Sequence, residues 1–140
     1  MLLTFLNKHR NIGLLILRLG LGAMFIYHGA PKLFAGPAQW GKIGMAMATT
    51  GITFAPTFWG FMAAVAEFAG GICIMLGLFF RYACVLLVIN LSVATTMHLT
   101  KGDGLQVASH AIEDGIVFLS LIFIGAGKYS VDEKLQPFEK

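Results

Sequence analysis

Four stretches of the chain are each about as long as a bilayer is thick and nearly free of charge. A helix needs about 20 mostly apolar residues to cross a hydrocarbon core of roughly 30 Å at 1.5 Å per residue. Such stretches run from Ile12 to Phe34, Thr57 to Phe80, Tyr82 to Leu99 and Val107 to Gly127. Lipid offers the backbone no hydrogen bonds, so segments of this kind must be helical. The expected fold is all-α, an integral membrane four-helix bundle forming one domain over residues 1–140. With 57% hydrophobic and 12% charged residues, a chain of 140 residues has too little interior to hide its apolar side chains from water. Disordered, collagen-like and disulfide-rich classes do not fit this composition either.

Lys8 and Arg10 precede the first stretch as they would in a secretory signal, but that stretch is too long for an h-region, contains Arg18 and is followed by no small-x-small site. With four spans the termini share one side with the turn at Arg81. That side collects Lys8, Arg10, Arg81, Lys128, Lys134 and Lys140, against Lys32, Lys42 and Lys101 opposite. The positive-inside rule then predicts that both termini are cytoplasmic. The basic residues are scattered and the net charge is only +3, so no nucleic-acid footprint is expected. The loop over residues 35–56 is too short to span and reads either as an interfacial or re-entrant helix with Trp40 at headgroup depth, or as an extended cap over the bundle.

Charged groups inside a span are costly and therefore informative. At 100° per residue, Phe25, His28 and Lys32 fall about 20°, 80° and 40° to one side of Arg18, so the polar groups of the first span share an arc. In the fourth, Gln106, Glu113, Asp114 and Ser120 all lie within about 80° of His110. Glu67 is the charged residue of the second span, and Asn90 and His98 stand out in the third. Counting depth at the helical rise puts His28, Lys32, His98, His110, Glu113 and Asp114 in the outer third of the membrane, with Glu67 deeper and Arg18 about 10 Å from the start of its span. The expectation is an outward-opening polar pocket with Glu67 and Arg18 at its floor.

Each of these residues also has a plainer reading. Arg18 and Glu67 could pair as a structural ion bridge, Lys32 could snorkel to the interface, and Glu113 and Asp114 could serve the first turns of a helix whose dipole favours acids. His28, His98 and His110 lack the tight spacing that sets two ligands on one helix face, so no metal or haem site is expected. Cys73 and Cys84 lack a CxxC arrangement and read as small packing residues. Gly13 and Gly20, like Gly70 and Gly77, are spaced seven apart and suggest smooth faces for helix contact within or between protomers, hence a possible homo-oligomer.

Three segments resemble the DoxX family of small four-helix bacterial membrane proteins: RLGLGAMFIYHGAPKLF at Arg18 to Phe34, EFAGGICIMLGLFFR at Glu67 to Arg81, and GAGKYSVD at Gly125 to Asp132. The resemblance implies the same four-helix fold, a place in the bacterial inner (cytoplasmic) membrane and an association with oxidoreduction of thiosulfate, quinones or phenolic compounds. On that expectation the pocket binds a quinone or a small sulfur or phenolic compound. Glu67, His28, Glu113 and Asp114 would relay protons, and Arg18, Lys32, His98, His110 and Asn90 would hold the substrate. The alternatives are a non-catalytic anchor or assembly subunit with a redox partner subunit, or a small transporter.

Overall fold

The computed structural model describes residues 3–135, so Lys140 of the charge count lies outside the described residues. Six α-helices and no strand occur among them: α1 Arg10–Phe34, α2 Pro37–Gly44, α3 Pro56–Leu76, α4 Phe80–Lys101, α5 Leu105–Ile124 and α6 Val131–Leu135. Turns of 3₁₀-helix cover Thr4–His9, running into α1, and Met45–Thr50, following α2. Helices α1, α3, α4 and α5 are long and apolar enough to cross a membrane, as the four stretches predict. Their outward faces are mostly apolar, with Tyr27, Phe34 and Phe123 more than two-thirds exposed. Lipid is the solvent that such a surface suits.

Helix boundaries shift by a few residues from the sequence reading for identifiable reasons. The second span stops at Leu76, not Phe80, because Gly77 turns left-handed (φ 66°). Leu78 N then donates to Cys73 O and Gly77 N to Ile74 O, the paired bonds of a Schellman ending. Gly102 ends α4 in the same way, with Asp103 N donating to His98 O. The segment over residues 35–56 is a helical cap on the start of α3 rather than an extended one. A Cβ at Gly44 would collide with the Pro56 carbonyl and one at Gly60 with that of Trp40, so two glycines let the short helix lie against α3 backbone to backbone.

Helices α1 and α3 meet along a second glycine seam. A Cβ on Gly29 would stand 2.5 Å from Phe68 N, one on Gly22 2.7 Å from Gly71 O, and one on Gly71 2.8 Å from Ile26 N. The heptad pair expected at Gly13 and Gly20 does not make this contact; both have open space around them. They lie about 140° and 160° away from Arg18 on the helical wheel, whereas Gly22 and Gly29 lie within about 40° of it. Across the bundle the core is built from Phe25, Ile74, Phe80, Cys84, Leu87, Phe118 and Leu121, with the Phe25 and Phe118 rings packed edge to face at 5.0 Å.

Arg18 locks the end of the bundle that holds the α3–α4 turn. It is 2% exposed. Its Nε donates to Ile74 O (3.1 Å), Nη2 to Met75 O (3.0 Å), and Nη1 to Ala126 O and Tyr129 O (both 3.0 Å). Two of these carbonyls end α3 and two belong to the segment after α5; a carbonyl at a helix C-terminus has no donor left in its own helix ladder, and of the four Ile74 O alone also takes a backbone bond, from Gly77 N, among the described residues. Asp132 completes the clasp by accepting from Phe79 N (2.8 Å) and Phe80 N (2.9 Å), supplying α4 with the N-terminal cap that its own sequence lacks. Arg81 Nε reaches Ile122 O at 2.9 Å, and Asn11 accepts from Lys128 N at 3.0 Å.

Two expected outcomes follow for unfolding in mixed detergent and SDS micelles. Arg18→Lys, which cannot spread donors over four carbonyls, should cost about 2–4 kcal/mol by leaving buried acceptors unpaired. Gly29→Ala should cost about 1–3 kcal/mol by overpacking backbone against backbone, whereas Gly20→Ala should stay within about 0.5 kcal/mol of the parent or gain from helix propensity.

Candidate functional site

Glu67 sits midway along α3, 8% exposed, where an unpaired carboxylate would be expensive. It is paired. Lys32 Nζ donates to both its oxygens at 2.8 and 2.7 Å, and Asn90 Nδ2 donates to Oε1 at 3.0 Å. Three helices thus converge on one carboxylate. Lys32 comes from the last turns of α1, where its carbonyl in turn accepts from Trp40 Nε1 at 2.9 Å, tying α2 to the same point. The two halves of the pair differ in access: the Lys32 side chain is 39% exposed and that of Glu67 only 11%.

The triad borders a cavity of about 660 Å³ between α3 and α4, roofed in part by α2 and the Met45–Thr50 turn. Its walls are almost wholly apolar, with Met47, Phe58, Trp59, Met62, Val93 and Met97 prominent. Hydrogen-bonding capacity remains at the triad. An ammonium has three donors and Lys32 directs its bonds at Glu67, while Asn90 keeps an N–H and its carbonyl oxygen without partners among the described residues. The site can therefore donate to a carbonyl oxygen or accept from a hydroxyl. Lys42 also lines the cavity, with no ion-pair partner among the described residues. Trp59 forms wall beside Phe54 and Phe58, and its buried Nε1 has no acceptor there.

The nine residues expected to share one pocket divide into four places. Glu67, Lys32 and Asn90 come together at the cavity, and His98 lines its far end. His98 Nδ1 is held 2.7 Å from Asp103 Oδ2 across the α4–α5 turn. Arg18 is not at the cavity floor and does not meet Glu67; α3 ends where its guanidinium lies, and helix-end carbonyls take all its bonds. His28, His110, Glu113 and Asp114 stand outside the cavity, on α1 and α5, where Asp114 is half-buried within electrostatic reach of His28 and His110. Among the described residues no three His, Cys, Asp or Glu side chains are grouped so as to hold a metal ion.

Several contributors to this arrangement were not singled out as site residues by sequence reading. Asp103 carries a recoverable signal, an acid between two turn glycines just after a helix-end histidine. Trp40 does not, since a tryptophan at an interface gives no hint that its N–H is needed by the carbonyl of Lys32. Cys84 is fully buried in the core as a small packing residue, while Cys73 is half-buried and faces the cavity.

Comparison with known proteins adds the family. The DoxX family profile matches residues 13–99, which take in nearly all of α1, the cap, α3 and nearly all of α4. An uncharacterised protein of Haemophilus influenzae is 30% identical over 139 aligned positions, covering 92% of this chain and 95% of that protein. No solved structure matches the chain.

The coupling between Lys32 and Glu67 is measurable. Lys32→Met alone leaves a carboxylate in an apolar wall and should destabilise by about 2–3 kcal/mol, below the range for a fully buried pair because Lys32 is partly exposed. The double variant Lys32→Met with Glu67→Leu should recover to within about 1 kcal/mol of the parent in the same unfolding assay.

Proposed function

The chain belongs to the DoxX family, and from that premise we propose that it is a redox-associated membrane protein whose α3–α4 cavity binds the head of a quinone or a related phenolic compound. The observation that carries this reading is the hydrogen-bonded Lys32–Glu67–Asn90 triad, with spare donors and acceptors, in a cavity whose walls are mostly apolar. Such a site suits a molecule that is mostly hydrocarbon but presents an oxygen that is a carbonyl in one state and a hydroxyl in the other. A bound quinone would supply two-electron, two-proton redox chemistry.

The residues divide the work. Lys32 donates to a carbonyl oxygen, Asn90 donates or accepts as that oxygen changes state, and Glu67 Oε2 takes or gives a proton within reach of Lys32 Nζ. The aromatic and methionine walls exclude water and hold a ring. Arg18 acts here only by fixing where α3 ends. His28, His110, Glu113 and Asp114 form a separate polar seam outside the head site. In this reading the termini face the cytoplasm, so the triad is approached from the outer half of the bilayer.

Binding tests this directly. With the protein in nanodiscs, titration of a decyl-chain benzoquinone should quench the fluorescence of Trp40 and Trp59. Glu67→Gln should weaken binding about tenfold, the worth of one charge-assisted hydrogen bond. Unchanged affinity in a folded Glu67→Gln protein would remove Glu67 from the site.

A further inference from the structure

The polar stripe of the fourth span does not face the bundle. Helix α5 buries Ala108, Phe118 and Leu121, which lie about 80–140° round the helical wheel from Glu113. Gln106, Glu113 and Ser120 are all exposed. They fall within about 20° of Glu113, with His110, also exposed, about 60° to one side. These groups therefore run down the middle of the face that α5 turns away from its neighbours. Asp114, about 100° further round and half-buried, belongs instead to the side near His28 of α1.

Depth makes the stripe costly. Glu113 is the ninth of the 20 residues of α5, so it stands about 12 Å into a helix about 30 Å long. Ionisable groups at such a depth face protein or a water-filled cavity, because lipid solvates them poorly. Glu113 has no hydrogen bond or ion pair among the described residues. Gln106, Glu113 and Ser120 also recur every seven residues, the period that holds one seam of a helix against a parallel partner.

From this stripe we propose that α5 is the contact between two copies of the chain, related by a two-fold axis along the membrane normal. Such an axis keeps every residue at its own depth, so Gln106 meets Gln106, Glu113 meets Glu113 and Ser120 meets Ser120. A second copy is the occupant this chemistry selects, because the stripe is complementary to itself. A glutamine amide both donates and accepts. Ser109 and Ser120 spend their O–H groups on the Gln106 and Ile116 carbonyls and keep oxygen lone pairs for a neighbour. Glu113 accepts, and His110, one turn earlier, brings an imidazole N–H from each copy to the facing carboxylates. The α3–α4 cavity has no α5 residue in its walls, so the contact is separate from it and does not depend on what the cavity binds.

Cross-linking in proteoliposomes locates the seam. With copper phenanthroline as oxidant, Ser120→Cys should give a covalent dimer, since facing Cα atoms in such a pair come within the roughly 7 Å that a disulfide tolerates. Leu119→Cys, about 100° further round, should not. The parent chain sets the background, with Cys84 fully buried and Cys73 at the cavity. Energy transfer between copies labelled at the N-terminus, followed as lipid is added, gives the affinity. Glu113→Leu suits lipid and should weaken association about tenfold with an unchanged SDS unfolding curve, whereas Glu113→Gln, which still pairs amide to amide, should stay within about threefold of the parent.

Absence of energy transfer at every lipid ratio would overturn the proposal, as would a dimer whose affinity ignores Glu113→Leu. So would a dimer that cross-links through Gly20→Cys on α1 but not through Ser120→Cys. Cross-linking of Ser120→Cys in native membranes to a different protein, and not to its own copy, would overturn the second copy as the occupant.

Discussion

A helix that ends in apolar surroundings leaves carbonyl groups that water cannot reach, and the rest of this structure depends on how those groups are paired. Arg18 pairs four of them at once, two from the end of α3 and two from the segment after α5. No other side chain has enough donors in one rigid plane to do this. The consequence is positional: α3 and α5 can finish only where the guanidinium of α1 meets them. Asp132 performs the complementary service for amide donors at the start of α4. With that end of the bundle fixed, the register of every residue on α3, including Glu67, is set.

The cavity follows from an imbalance in packing. Gly22, Gly29 and Gly71 draw α3 against α1 until backbone meets backbone, and Gly44 and Gly60 do the same for α2. Helix α3 cannot be equally close to α4. Gly70 and Ala83, the small residues on that side, leave space that Leu87 fills only in part, since a Cβ on Gly70 would meet Leu87 at an ordinary 3.4 Å. Membrane helices gain little by excluding lipid from such a gap, because hydrocarbon is as good a neighbour as leucine. A gap of this kind persists where a soluble protein would have collapsed it.

Periodicity made the four spans, the buried arc of α1 and the importance of Arg18, Lys32 and Glu67 legible from the sequence. It did not make their partners legible. Arg18 and Lys32 lie on one face of α1, yet they are 14 residues and so about 21 Å apart along its axis, which puts them in different layers of the bundle. Sequence reading places Arg18 deeper than Glu67 yet gives both to one pocket floor, and so merges two sites into one. His28, about 80° from Arg18, belongs to the edge of that arc and turns out exposed. The same angular test, applied to glycines, would have selected Gly22 and Gly29 over Gly13 and Gly20. What sequence could not supply is the location of helix ends in space, and Arg18 binds those ends rather than any side chain.

The difference in access across the Lys32–Glu67 pair bears on what the site can do. The carboxylate is nearly enclosed, whereas the ammonium that covers it is more than a third exposed. A proton reaching Glu67 must pass by way of Lys32, Asn90 or whatever occupies the cavity, since no other polar group among the described residues touches the carboxylate. The open side of the pair is the Lys32 side, near the end of α1. An ion pair placed wholly in the interior would be inert, and one at the surface would be screened and weak. The Lys32–Glu67 pair lies between those limits, with its carboxylate enclosed at the wall of an apolar cavity and its ammonium partly open.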